Sequence, residues 1–88
     1  MKLRWSQRAL SDVAGIYAYL LPYSEAAAGR TADRLTAAAE NLVRHPQLGR
    51  PGRIAGRREL VVEQYVLVYK VRRDEIYILT VEHGARRR

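Results

Sequence analysis

The sequence predicts an α+β fold of order β-α-α-β-β-β, with an α-helical hairpin packed on one face of a small antiparallel sheet. Three observations carry that prediction. Apolar residues recur at three- and four-residue steps through the first half, which is the repeat of an amphipathic helix. From Arg57 onward the apolar period changes to two, the repeat of a strand. Between the halves, residues 45 to 56 hold Pro46, Gly49, Pro51, Gly52 and Gly56, a composition that reads as a loop.

Each element has a local cause. Lys2 to Trp5 alternate and read as a short edge strand. Ser6 caps the first helix, whose apolar face is Leu10, Val13, Ile16 or Tyr17, and Leu20. Pro22 ends it, because the residue before a proline is pushed out of the helical region. Ser24 caps a second helix with a narrow stripe of Ala28, Ala32, Leu35, Ala38, Ala39 and Leu42, which Pro46 closes. So short a link folds the helices back as an antiparallel hairpin, and the alanines let the backbones approach. Arg58 to Glu63 then reads as a strand, Gln64-Tyr65 as a tight connection and Val66 to Arg72 as a second strand. Arg73-Asp74 is the next turn, and Glu75 to His83 a third strand rich in Ile, Val, Leu and Tyr. Gly84 to Arg88 is a basic tail without predicted structure. The last two strands are apolar on both faces, whereas two helices cover one, so the second face is expected to meet a partner.

Length and composition narrow the function. The 88 residues are expected to form one domain spanning 1–88. A chain of this size buries roughly 60–65% of its unfolded surface, enough for one modest core. The absence of cysteine removes disulfide scaffolds, cysteine nucleophiles and thiolate metal sites, and is compatible with a reducing cytoplasm. No run approaches the ~18 apolar residues of a membrane span, and no signal-peptide core follows Met1, so the chain reads as soluble and unprocessed. Sixteen basic residues against nine acidic give a net charge of +7, and fourteen of the sixteen are Arg. Residues 50–88 hold ten basic and five acidic residues, so the excess lies in the second half. Arginine binds planar anions bidentately, which suits phosphates or carboxylate-rich partners.

Most catalytic constellations are missing. His45 and His83 are the two histidines, far apart in sequence, and no zinc site of ordinary spacing results. The glycines 49, 52 and 56 lack the strand-to-helix context of a phosphate-binding loop. His45 precedes Pro46 at a helix end, where histidine commonly satisfies the last carbonyls. Ser6 and Ser24 are explained as caps. No metal or cofactor is expected. One cluster is left: Arg57, Arg58, Tyr65, Lys70, Arg72, Arg73, His83 and the tail Arg86, Arg87 and Arg88. A His, an Arg and a Tyr held together can cleave RNA without metal, one group activating the 2′-hydroxyl, one protonating the leaving oxygen and the guanidinium offsetting phosphate charge. The same residues could instead bind an acidic segment of another protein. Spacing does not separate the two readings.

The chain resembles the RelE/ParE toxin superfamily. The residues that carry the resemblance are Leu3-x-Trp5, Ala9, Asp12-Val13-x-x-Ile16-x-x-Tyr19, Ala27-Ala28, Leu42, Val68-Tyr69 and the ending Ile78-Leu79-x-Val81-x-His83-Gly84-Ala85-Arg86. The run Pro46-x-x-Gly49-Arg50-x-Gly52-Arg53-x-x-Gly56-x-Arg58-Glu59-Leu60-Val61 is the most specific part and is similar to the ParE-like branch. The resemblance covers residues 3 to 86, and its fold is the one read from the periodicity.

It implies the toxin half of a type II toxin–antitoxin pair acting in the cytoplasm, neutralised when a ParD-like antitoxin wraps around it. ParE-like members inhibit DNA gyrase, arrest growth and stabilise plasmids, whereas RelE-like members cut messenger RNA on the ribosome. The ribonuclease members carry a basic residue just ahead of the Leu-Val-Tyr-like strand core. Here Tyr65-Val66-Leu67-Val68-Tyr69 has none at its start, and His83 fits either branch. The first reading is therefore a non-enzymatic, gyrase-inhibiting toxin with no catalytic residue, whose Arg57, Arg58, Tyr65, Arg72, His83, Arg86 and Arg87 bind partners. Its alternative is a ribosome-dependent endoribonuclease using Arg58, Tyr65 and His83. A third possibility is a basic binding module that poisons nothing.

Overall fold

The computed structural model describes residues 1–86, and of Arg86 the backbone alone. Strand β1 (Lys2–Trp5) leads into helices α1 (Gln7–Leu20) and α2 (Glu25–Leu42). A two-residue strand β2 (Arg50–Pro51) precedes the meander β3 (Arg58–Val62), β4 (Tyr65–Arg72) and β5 (Glu75–His83), and a 3-10 turn covers Gly84–Arg86. The sheet order is β1-β5-β4-β3-β2. Neighbours are antiparallel except β1, which runs parallel to β5, so the sheet is mixed. The predicted caps are present: Ser6 Oγ accepts from Ala9 N–H and Ser24 Oγ from Ala27 N–H.

The core lies between the hairpin and one face of the sheet. Ala9, Leu35, Ala39 and Leu42 of the helices meet Tyr65, Leu67, Tyr69, Ile76, Ile78 and Val81. Alanine at the helical positions brings α1 and α2 close to the sheet and to each other, and Ala28 is wholly buried.

Three local readings change. The loop contains β2, which pairs Arg50 with Glu59 and Pro51 with Arg58. The β3–β4 turn is Glu63-Gln64, one residue earlier than predicted, because the Tyr65 ring is drawn into the core and its backbone pairs with Val62 and His83. Glu63 takes a left-handed φ of 57° there, and its carboxylate is ion-paired with Arg34 of α2. The backbone of Gly84–Arg86, read as structureless, forms the 3-10 turn.

The second sheet face is not the continuous apolar surface expected. Alternation puts Val66, Val68 and Lys70 there, flanked through the pairing by Glu59, Val61, Thr80 and Glu82. Val66 and Val68 are buried at 6% and 5% exposure by these neighbours, and Val61 is 58% exposed. The exposed large apolar side chains gather instead on the hairpin, at Leu10, Tyr17, Tyr19, Leu21 and Tyr23. The uncovered surface therefore belongs mainly to the helices.

Candidate functional site

The pairing of Tyr65 with His83 sets the two side chains on the helical side of adjacent strands, where their rings meet edge to face at 5.5 Å. They border a cleft of about 630 Å³ whose opposite wall is α1, with Asp12, Ile16 and Tyr19. His83 Nδ1 accepts from Ala85 N–H at 3.2 Å, which leaves the proton of the neutral ring on Nε2. Asp12 is engaged on both oxygens: Oδ1 accepts from Arg8 Nε at 3.1 Å and Oδ2 from Val81 N–H at 2.9 Å.

The arginines named from sequence do not join this pair. Arg58 lies opposite Tyr69, four residues along β4 from Tyr65 and about 13 Å away at the rise of a strand. Its guanidinium is spent on the preceding loop, donating from Nε to Gly49 O at 2.9 Å and from Nη2 to Gln47 O at 3.1 Å. Arg57 sits on the same side, where its carbonyl accepts from Gly52 N–H at 2.7 Å. Arg72 pairs with Glu75 at the far end of β4, seven residues and about 23 Å from Tyr65. The Arg86 side chain and Arg87 lie outside the described residues.

The loop motif turns out to be a scaffold. Tyr69 OH accepts from Gly49 N–H at 2.9 Å and donates to Pro46 O at 2.8 Å. Buried Glu59 accepts from Arg53 N–H at 3.1 Å and lies 3.8 Å from Arg50 Nη2. Held in this way, Arg50 and Arg53 line a second groove of about 350 Å³ together with Val66 and Gly84, and Tyr65 and His83 border it from the other side. A third groove, of about 370 Å³, is almost wholly apolar and lies across the helices, lined by Trp5, Leu10, Val13, Ala14 and Tyr17 with Ala32 and Thr36.

Sequence reasoning missed Asp12 and Tyr19 as cleft residues, and the apolar groove entirely. The sequence puts Leu10 and Tyr17 on the apolar face of α1, but the structure turns Ala9 into the core and leaves Leu10 and Tyr17 exposed. Among the described residues no helix is long and apolar enough to cross a membrane.

Fold and loop together define a toxin of the RelE/ParE superfamily. A family model described as the ParE toxin of type II toxin–antitoxin system, parDE, matches residues 3–88, and the chain belongs to that family. A Sinorhizobium fredii relative that bears the name toxin Y4kP is 40% identical over 85 residues, covering 94% of this chain and 88% of the relative. Toxin RelE2 of Caulobacter vibrioides is 38% identical over 82 residues, covering 93% of each. Among solved structures, the chromosomal ParDE toxin–antitoxin system of P. aeruginosa superposes with a TM-score of 0.85 at 25% identity, covering 94% of this chain and 95% of that one.

Proposed function

We propose that this chain arrests growth as a non-hydrolytic, ParE-like inhibitor of DNA gyrase and is held inactive by a ParD-like protein antitoxin. The observation that carries the non-hydrolytic part is the engagement of Arg58 in two backbone hydrogen bonds, remote from the Tyr65–His83 pair. Metal-free RNA cleavage needs an acid, a base and a cation around one phosphate. In the cleft, His83 Nδ1 already accepts from Ala85 N–H, Asp12 is already doubly bonded and no arginine lines the walls among the described residues. Gyrase as target is supported by membership of the ParE family and by likeness to a ParDE system. The apolar groove across α1 and α2 supports the antitoxin, since it suits the apolar face of a partner helix.

Pulse labelling after induction of this chain without its antitoxin tests the target. Thymidine incorporation is expected to fall before methionine incorporation, and purified toxin to inhibit gyrase supercoiling. The reverse order of loss would reject gyrase. A second reading, ribosome-dependent RNA cleavage, draws on the Tyr65–His83 pair beside a large cleft and on relatives named RelE. It requires codon-positioned RNA ends after brief induction, and their loss in H83A.

A further inference from the structure

Lys70, Arg72 and Arg73 stand out in the sequence, and neither the cleft nor the two grooves take them up. The strand pairing shows where they go. Leu3, Trp5, Val71, Ile76 and Ile78 pack in or against the core on the helical side. Alternation therefore sends Lys2, Arg4, Lys70, Arg72, Glu75 and Tyr77 to the open face of the sheet. Register draws these six together: Lys2 and Arg72 flank Glu75 from either side, and Arg4 and Lys70 flank Tyr77. The four cations mark the corners of a rectangle about 10 Å across three strands and about 7 Å along them. Glu75 is the one carboxylate inside it, and Arg73 and Asp74 offset each other in the adjoining turn, so four cations face one anion. Arg4 is held in place, with Nε 3.4 Å from Glu75 Oε1 and Cζ 4.3 Å from the centre of the Tyr77 ring, yet its side chain stays 59% exposed. Among the described residues Lys2, Lys70 and Arg72 enter no ion pair. The other end of the same face lacks this character, carrying Glu59 and Glu82 among valines.

We infer that this end of the open face binds the phosphate backbone of duplex DNA without reading its sequence. Charge names a polyanion: a duplex carries one negative charge per about 1.7 Å of axis, so the rectangle meets about six phosphate charges. Arginine and lysine on exposed strand positions supply the contacts that hold a backbone in place. Shape disfavours an acidic peptide, because recognition of a peptide needs pockets for its side chains and none of the cleft and grooves described above reaches these residues. Tyr77 disfavours single strands. Those are held by bases stacked on bare aromatic rings. Among the described residues Tyr77 is the one aromatic side chain on this face, and the Arg4 guanidinium already covers its ring. What is left is a flat array of cations for a rigid, evenly charged surface. The contact goes beyond the gyrase reading and requires neither gyrase nor antitoxin.

The test titrates the purified chain against a fluorescent duplex of about 20 base pairs at several salt concentrations near 0.1 M. K70A/R72A removes two charges from the rectangle, and R30A/R44A removes two from exposed positions of α2 and just beyond it, so the two variants carry the same net charge. K70A/R72A is expected to bind about tenfold or more weakly than the native chain and to lose about 2 from the slope of log affinity against log salt, whereas R30A/R44A stays within about threefold. Duplexes of unrelated sequence should bind alike, and oligo-dT or oligo-U of equal length should compete at least about tenfold less well. In the native chain, which needs no variant to fold, amide shifts on adding duplex should gather at Lys2, Arg4, Lys70, Arg72 and Tyr77. Equal losses in the two variants, or shifts centred on residues 45–56 or His83, would place the contact elsewhere and overturn the inference. Single strands or poly-Glu competing as well as duplex would show that the assigned occupant is wrong. Absence of duplex binding at low salt would reject the surface altogether.

Discussion

The Tyr69 hydroxyl holds the α2–β2 loop by two bonds at once, accepting from Gly49 N–H and donating to Pro46 O. Tyr69→Phe strands a buried amide, and a buried donor left without a partner costs about 1–3 kcal/mol. Gly49→Ala is expected to cost at least as much, since its Cβ would stand 2.7 Å from the Tyr69 ring and 2.8 Å from Glu59 O, neither able to withdraw cheaply. Urea denaturation of both variants checks this, and an unchanged midpoint in Gly49→Ala would mean the loop repacks freely. The motif around these residues was legible in the sequence as a family mark. Its work was not: spacing cannot say that Arg58 turns back onto the Gln47 and Gly49 carbonyls rather than toward a substrate. The Tyr65–His83 contact was not legible, because a regular meander turning at Arg73-Asp74 sets Tyr65 opposite Glu82, and the register shift between Val68 and Tyr69 is what brings His83 there.

Elements with a strong period were read correctly, namely α1, α2 and the three strands of the meander. The errors fell where tertiary contacts outweigh local pattern. Glu63 adopts a left-handed turn because Arg34 reaches its carboxylate and Tyr65 is wanted in the core. β2 exists because Glu59 and Arg58 offer it a ladder, which no local signal in Arg50-Pro51 announces. The parallel pairing of β1 with β5 joins residues more than seventy positions apart and has no short-range signature. The helices carry a separate prediction. Gly15 and Gly29 sit inside α1 and α2, and a Cβ at either meets nothing within 4 Å. Alanine at each should therefore stabilise by about 0.5–1 kcal/mol through backbone entropy alone. Thermal unfolding of the two single variants and the double variant tests this, additive gains being expected for sites on different helices. A loss at either position would point to a packing contact there.

At the scale of the whole molecule, an uncharged apolar stretch and the basic excess occupy different parts of the chain. Residues 13 to 24, spanning most of α1 and the hairpin tip, contain no charged side chain and supply Tyr17, Tyr19, Leu21 and Tyr23 to the surface. The basic excess lies in the loop, the meander and the tail. A partner that covers both regions must combine an apolar segment for the helices with an acidic one for the sheet end, and the two contacts should answer differently to salt. Long-range attraction by a +7 chain acts on the encounter and is screened beyond about 10 Å at 0.1 M salt, whereas apolar burial governs escape. Raising salt from about 0.05 to about 0.5 M is accordingly expected to slow antitoxin association by about 10- to 100-fold and to change dissociation by less than about threefold. Stopped-flow association and competition-chase dissociation measure the two rates separately. If salt instead accelerates dissociation and spares association, the arginines act as close ion pairs in the bound state rather than as a steering field.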